Sequence, residues 1–115
     1  MNQEVLSFIK KCFRHRRIIW TSHVELRLKE RLITRENILN SIPAYEIIDE
    51  YPDNIYSAGY LIYSQERNKI FHILITVDFH NELVTIVTSY KPTLDRWESD
   101  YKTRRKSGLH RLIQQ

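Results

Sequence analysis

The sequence predicts an α+β domain in which N-terminal helices pack on one face of a three to four stranded antiparallel sheet, closed by a short C-terminal helix. Two observations lead to this fold class. Apolar residues recur at helical spacing between Val5 and Ile42. From Ser57 to Tyr90, three β-prone runs are separated by loops of hairpin length. The change of period along the chain separates a helical part from a sheet.

The composition is that of one domain. The chain has 115 residues, of which 42% are hydrophobic, as in an ordinary globular protein. We divide it into a single domain over residues 1–100 and a basic tail over residues 101–115. The formal net charge of +4 permits an acidic partner without requiring one.

Cysteine and glycine usage exclude several classes of function. Cys12 is the only cysteine, so neither an intramolecular disulfide nor a cysteine-based metal site can form. The five histidines are scattered, and two glycines are too few for a glycine-rich nucleotide loop. We therefore predict no metal and no cofactor. No apolar run approaches the length of about 20 residues that a membrane span needs, and we predict a cytoplasmic protein without a membrane partner.

The first predicted helix covers residues 3–13 and is followed by a cluster of basic side chains. Cations at a helix C-terminus interact favourably with its dipole, and they also form a positive patch. The patch is either a solvated face or a contact surface for an acidic partner. The residues that we predict to bind RNA here are Lys10, Lys11, Arg14, Arg16 and Arg17.

A second helix is predicted from His23, because Ser22 and Glu25 have the spacing of a capping box. The stripe predicted to be buried consists of Val24, Leu28 and Leu32. A third helix is predicted to begin after Thr34 and to end before Pro43.

A line of basic residues lies beside the apolar stripe of the second helix: His23, Arg27 and Arg31. Two arginines one turn apart repel each other, and an anion would relieve that repulsion. A titratable imidazole beside guanidinium groups suits a phosphate. The alternative is an ordinary solvated helix face.

The sheet is predicted from runs at residues 57–64, 69–79 and 83–90, with Ile18–Trp20 as an edge strand or extended link and Tyr45–Tyr51 as a further β-prone segment. Alternation assigns one face of the middle run to the core: Phe71, Ile73, Ile75, Val77 and Phe79. On the last run, one face is predicted to hold Val84, Ile86, Thr88 and Tyr90. Whether His72 shares a face with Tyr90 stays open, because the register cannot be read from the sequence. The closing helix is predicted from Leu94, Trp97 and Tyr101.

The remaining chemistry is metal-free acid and base catalysis at a phosphate. Cleavage of RNA needs a base for the 2′-hydroxyl, an acid for the leaving oxygen and cations for the developing charge. His23 and His72 are candidates for the proton transfers, and Arg27 with Arg31 for the charge. Tyr90 is a candidate phenol, and we predict RNA contacts from Thr88, Arg104 and Arg105. Alternatively, His72 is a hydrogen-bonded strand histidine and Tyr90 a half-buried aromatic.

Four segments together resemble the DUF4258 family: S-H-V-E-L-R-L-K-E-R at 22–31, E-I-I-D-E-Y at 46–51, I-F-H-I-L-I-T-V-D at 70–78 and I-V-T-S-Y-K-P at 86–92. The resemblance implies the toxin of a type II toxin–antitoxin system, related to the RelE-like group of small metal-independent ribonucleases. It also implies a cognate antitoxin of the zinc-finger and helix-turn-helix type. The family positions map onto His23, Arg27, Arg31, His72, Thr88, Tyr90 and Pro92.

We therefore predict a metal-independent endoribonuclease that acts on messenger RNA and is restrained by its antitoxin. A non-catalytic RNA-binding module would use the same basic surface. A protein-interaction subunit, with the basic tail docked on an acidic partner, is a third reading of the same charges.

Overall fold

The computed structural model describes residues 2–52 and 58–106, and it confirms the α+β class. The elements in chain order are helix α1 (Asn2–Arg14), strand β1 (Ile18–Trp20), helices α2 (Ser22–Arg31) and α3 (Arg35–Asn40), a 3-10 turn (Ile42–Ala44), and strands β2 (Glu46–Tyr51), β3 (Ala58–Glu66), β4 (Lys69–Asp78) and β5 (Leu83–Tyr90). Ser57, the predicted start of the first of the three β-prone runs, lies outside the described residues.

The sheet has five strands in the order β1-β5-β4-β3-β2. Strands β2 to β5 are antiparallel neighbours, whereas β1 is parallel to β5 through the pairs Ile18–Val84 and Trp20–Ile86. The predicted sheet of three or four antiparallel strands is therefore corrected to a five-stranded mixed sheet. The sequence left the pairing of β1 open because three β-prone residues between two helices also fit an extended link.

The helices cover one face of the sheet and enclose the core. Phe71, Ile73, Ile75 and Val77 of β4 are fully buried there, which confirms the predicted core face. Phe79 does not belong to it, because β4 ends at Asp78 and the Phe79 side chain is 43% exposed. Its ring instead lies 5.1 Å from that of Phe8 on α1.

Helix α2 begins one residue earlier than predicted. Thr21 is its N-cap, and the Thr21 Oγ1 accepts a hydrogen bond of 3.1 Å from the backbone N–H of Val24. The predicted Ser22 capping box is therefore wrong. The carboxylate of Glu25 pairs with the guanidinium of Arg35 instead.

At the end of α2, the predicted burial of Leu32 is also wrong. Leu32 has φ 58°, the left-handed conformation that ends a helix, and its side chain is 71% exposed. Ile33 occupies the buried position, and its N–H donates to the Leu28 carbonyl over 3.0 Å. Val24 and Leu28 are buried as predicted. Thr34 caps α3 as predicted, within a capping box completed by Asn37.

A bulge reverses the alternation along β5. Ile75 pairs with Ile86 but Leu74 pairs with Thr88, so Val87 is the additional residue. Beyond it, Thr88 and Tyr90 lie on the face opposite the core, and Ser89 is buried. The prediction that Val84, Ile86, Thr88 and Tyr90 share one face is therefore wrong.

Residues 93–105 form an irregular strap, and the predicted C-terminal helix is absent from this described segment. Its two arms are joined by a bridge between Trp97 and Arg104 and by a hydrogen bond of 2.7 Å from the Glu98 N–H to the Thr103 carbonyl. The strap, defined as Thr93–Arg105, lies on the outer face of the sheet, opposite the helices. The predicted tail over 101–115 thus includes residues that contact the sheet, and residues 107–115 lie outside the described part of the chain.

None of the described helices has both the length and the apolar character needed to cross a membrane.

Candidate functional site

Arg31 connects the end of α2 with the end of β5. Its Nη1 donates to Thr88 Oγ1 over 2.9 Å and to the Ser89 carbonyl over 2.7 Å. Because β1 pairs only with residues 84–86, the Ser89 carbonyl lies beyond the paired part of this edge of β5. Both bonds use Nη1, and among the described residues none accepts a hydrogen bond from the Nε or Nη2 of Arg31.

His23 and Arg27 continue the same line of side chains along α2. His23 is exposed in the first turn of the helix. Arg27 forms an ion pair of 3.1 Å with Glu30, and its side chain is half-exposed. At a rise of 1.5 Å per residue, Arg27 lies about 6 Å and His23 about 12 Å from Arg31 along the helix axis. Both side chains are accessible to solvent, and they lie one and two helical turns from Arg31 at the end of β5.

His72 and Tyr90 are direct partners across β4 and β5, which settles the register that the sequence left open. His72 is fully buried, with its Nε2 2.7 Å from the Tyr101 carbonyl and its Nδ1 3.2 Å from the Tyr90 hydroxyl. A carbonyl only accepts, so Nε2 carries the hydrogen and Nδ1 accepts from the phenol. Both ring nitrogens are thus engaged within the protein.

Aromatic rings complete the surroundings of His72. The Trp97 ring stands edge-on to the His72 ring, with 4.5 Å between the two centroids. The Arg104 guanidinium in turn lies 4.7 Å from the centroid of the Trp97 ring. Burial lowers the pKa of His72, the hydrogen bond to the Tyr101 carbonyl partly raises it, and the charge of Arg104 lowers it further. His72 is therefore a neutral imidazole at pH 7. Burial raises the pKa of Tyr90, which keeps this phenol protonated.

The predicted RNA contacts of the strap face carboxylates. Arg104 Nη2 donates to Asp49 over 3.2 Å and to the Tyr51 hydroxyl over 2.9 Å. Arg105 Nη1 lies 3.1 Å from Glu98. These two arginines hold the strap to β2 and to itself, and RNA binding by them remains a prediction.

The basic patch at the end of α1 lies at the opposite end of the sheet from Tyr90. Arg17 donates to the carbonyls of Asn81 and Glu82 in the β4–β5 turn, over 2.9 and 3.3 Å. Arg16 bonds the Phe13 carbonyl over 3.0 Å, and Lys11 is 3.9 Å from the Glu82 carboxylate. Strand β5 is eight residues long, so about 24 Å separate its two ends. The patch is therefore not part of the cluster around Arg31, Thr88, Tyr90 and His72.

A surface pocket lies at the Tyr90 end of the sheet and was missed by the sequence reasoning. It has a volume of about 520 Å³ and is lined by Asn68, Lys69, Ile70, Lys91, Pro92 and Tyr101. The sequence did contain a signal for it. Lys69 opens β4 and Lys91 follows β5, and adjacent antiparallel strands place the start of one beside the end of the other.

Residues 20–91 match the family described as "Domain of unknown function (DUF4258)", which is well over half of the chain. The chain belongs to this family. The prediction of this family from the sequence is confirmed. No curated protein and no solved structure matches the chain. The matched region contains α2, α3 and β2 to β5, with the Arg31–Thr88 and His72–Tyr90 contacts, whereas the strap lies outside it.

Proposed function

We propose that this chain is a metal-independent endoribonuclease of the RelE-like group that acts on messenger RNA as the toxin of a type II toxin–antitoxin pair. The observation that supports the proposal is the convergence at the end of β5. Arg31 bonds Thr88 there, and the adjacent Tyr90 bonds His72. His23 and Arg27 lead to this point along an exposed helix face.

The exposed residues of this arrangement supply the chemistry. An RNA 2′-hydroxyl must be deprotonated to attack its own phosphate, and an exposed imidazole such as that of His23 can reach it. The 2′-oxygen then bonds to phosphorus to form a 2′,3′-cyclic phosphate, and the bond from phosphorus to the 5′-oxygen breaks, with that oxygen taking a proton from water. Arg27 and Arg31 neutralise the charge that develops on the phosphate oxygens. Arg27 must exchange its contact with Glu30 for the phosphate, an exchange between two exposed groups.

The buried residues have a different role in this proposal. His72 has no free ring nitrogen, so it is a positioning residue that fixes the Tyr90 hydroxyl at the end of β5. Tyr90 is half-buried two residues after Thr88, and separately the Thr88 hydroxyl and the Ser89 carbonyl accept hydrogen bonds from Arg31. The cluster thus holds the Arg31 guanidinium in a defined orientation, which favours phosphate binding because little ordering entropy is lost.

A non-catalytic RNA-binding module is the second candidate, and the burial of His72 favours it. With His72 enclosed, His23 is the one histidine among the predicted catalytic residues that solvent reaches. One exposed imidazole can serve RNA binding without cleavage. The two candidates share a surface and differ in whether His23 transfers a proton.

Cleavage by the purified protein in the presence of a chelator tests the proposal. His23→Ala is expected to reduce cleavage by about 10²-fold or more, because a general base contributes typically 10²–10⁴-fold. His80→Ala, which removes an exposed imidazole from the β4–β5 turn at the other end of the sheet, is the matched control. A substrate with hydrogen in place of every 2′-hydroxyl should resist cleavage. Cleavage of that substrate, or equal loss in both variants, would refute this mechanism.

The biological part of the proposal needs a separate test. Induced expression is expected to arrest growth, and His23→Ala to relieve the arrest at equal protein level. Co-expression of a cognate antitoxin of the zinc-finger and helix-turn-helix type should also relieve it. Growth arrest that persists in the His23→Ala strain would argue against cleavage as its cause.

A further inference from the structure

We infer that the pocket between the start of β4 and the end of β5 binds one nucleotide unit of single-stranded RNA, with its phosphate on Lys69 and Lys91 and its base against the apolar wall. The inference rests on the proposed action on RNA and deepens it by naming a substrate subsite. The carrying observation is that two lysines, Lys69 and Lys91, line one pocket beside the Arg31 cluster.

Lys69 is held in place before any ligand binds. Its Nζ donates to the Leu32 carbonyl over 3.0 Å and to Asn37 Oδ1 over 3.1 Å. An ammonium group has three donors, so one hydrogen remains for a ligand. A fixed cation loses less conformational entropy on binding than a mobile lysine does.

The other lining residues suit a nucleotide. Lys91 is exposed and follows β5 directly, and Asn68 offers an amide from the β3–β4 turn. None of the described residues that line the pocket carries a carboxylate. Glu66 lies nearby as an ionised carboxylate, because the hydrogen bond of 2.6 Å from Asn37, a second from Asn40 and the charges of Arg67 and Lys69 lower its pKa. Part of the Lys69 charge is therefore offset, and the exposed Lys91 contributes most of the positive charge that an anion in the pocket meets.

Apolar groups form the remaining wall. Ile70, Pro92 and Tyr101 line the pocket together with the lysines. A base of any identity can stack on an aromatic side chain, because every base has a π-face. Proteins that bind single-stranded nucleic acids combine cations with aromatic rings in this way. The pocket therefore fits a nucleotide better than a free inorganic anion.

The pocket is continuous with the cluster at the end of β5. Tyr101 lines the pocket, and its carbonyl accepts the hydrogen bond from His72. Lys69 bonds the carbonyl of Leu32, the residue that follows Arg31. A strand of RNA that fills the pocket would therefore have its neighbouring phosphate next to Arg31.

Titration of the full chain with a six-nucleotide RNA, with adenosine 5′-monophosphate and with inorganic phosphate tests the site by NMR. Amide shifts are expected at Asn68, Lys69, Lys91 and Tyr101, largest with the hexamer and smallest with phosphate. Lys91→Gln should weaken hexamer binding by about tenfold, since a charged hydrogen bond contributes at least about 1.5 kcal/mol. It should also reduce the slope of log K against log salt by about 0.7, as expected for one lost single-strand phosphate contact.

The matched control is Lys29→Gln, which removes an exposed lysine from α2 with the same change in charge. Equal weakening by Lys29→Gln and Lys91→Gln would overturn the subsite, because net charge would then explain the binding. Shifts confined to α1 or equal shifts with phosphate and hexamer would overturn it too. The second variant, Lys69→Gln, should also weaken hexamer binding, but it removes the hydrogen bond to the Leu32 carbonyl. If that loss unfolds the protein, Lys91→Gln tests the site by itself, because Lys91 is exposed.

The failure of this inference is distinguishable from failure of the proposed nuclease. RNA cleavage with an unchanged KM in Lys91→Gln would overturn the subsite and leave the nuclease standing. Hexamer binding at the pocket without cleavage would overturn the nuclease and support the subsite.

Discussion

The two faces of strand β4 are buried by different parts of the chain and by different interactions. On the helix face, Phe71 and Ile73 are fully buried in a continuous apolar core. On the outer face, His72 is equally buried, but under Trp97 and Tyr101 of the strap and through two hydrogen bonds. From Phe71 to Val77, β4 therefore contributes only apolar side chains to the helix face, whereas burial of the outer face depends on the pairing of a polar ring with a distant segment.

This difference determines how each face responds to change. An apolar core loses stability in proportion to the volume removed, whatever the pH. A buried imidazole is stable only in its neutral form, so the strap face is sensitive to protonation as well as to volume. The region matched by the family ends at residue 91, so the helix face lies mostly inside it and the strap outside.

The largest expected effect compares the two faces by truncation. Phe71→Ala should lower the free energy of unfolding by about 3–5 kcal/mol, because it leaves a cavity in the fully buried helix face. Trp97→Ala should cost no more than the lower end of that range, since the strap can open locally while the helix face stays folded. Urea unfolding followed by circular dichroism measures both. A larger loss for Trp97→Ala than for Phe71→Ala would reverse the comparison.

Between pH 7 and pH 5, acidification should act on the strap face through His72. The pKa of His72 is lowered by burial below the value of 6.5 for the unfolded chain, so the unfolded state binds a proton first as the pH falls. Stability contributed by the neutral imidazole is therefore complete above about pH 6.5 and is lost as the pH falls toward the folded-state pKa, by up to about 1.4 kcal/mol per pH unit for one proton. The groups that face His72 are the Tyr90 phenol, the Tyr101 carbonyl, the rings of Tyr63 and Trp97, and Arg104.

The variant His72→Gln should remove this component of the pH dependence, because glutamine keeps an amide donor and does not titrate. Unfolding curves between pH 7 and pH 5 for the parent chain and for His72→Gln give the comparison. His80→Gln, at an exposed position, is the control and should leave the pH dependence unchanged. Parallel pH profiles for the parent chain and His72→Gln would show that His72 is not the titrating group.

The sequence allowed the helix face to be predicted better than the outer face, and the reason is physical. The alternation along β4 identified Phe71, Ile73, Ile75 and Val77 correctly, because a strand face has a period of two. The errors came where one residue changes the geometry: the left-handed Leu32 moved burial to Ile33, and the bulge at Val87 turned Tyr90 to the outer face. The hydrophobic pattern that precedes Leu32 or Val87 gives no sign of either change, so the sequence before these residues could not predict it.

The candidate site was predicted residue by residue but not in its arrangement. Arg31 with Thr88, and His72 with Tyr90, are brought into contact, whereas the Lys69 and Lys91 pair was missed. The pocket depends on strand ends that become neighbours only through the register, which the sequence did not fix. The burial of His72 depends on Trp97, for which a helix was predicted and an isolated bridge to Arg104 within the irregular strap is found.

The smallest expected effect concerns the ion pair that ties the strap to β2. Lys102 Nζ lies 2.8 Å from Glu46 and 4.7 Å above the ring of Tyr63. A double-mutant cycle with Lys102→Gln and Glu46→Gln should give a coupling energy of about 0.2–1 kcal/mol, the usual range for an exposed pair. The coupling should decrease as salt is added, because the pair is partly exposed to solvent.

The pair Lys11–Glu82, at 3.9 Å and with both side chains more than half exposed, provides the matched cycle on the α1 side of the molecule. Its coupling should be smaller than that of Lys102–Glu46, because the longer distance and greater exposure weaken the attraction and no aromatic ring of the described residues lies beneath the Lys11 ammonium. If the two cycles give the same coupling energy, the aromatic surroundings of the strap add nothing to its ion pairs. The ion pair of Lys102 with Glu46 would then contribute no more to holding the strap than an ordinary exposed pair contributes elsewhere on the surface.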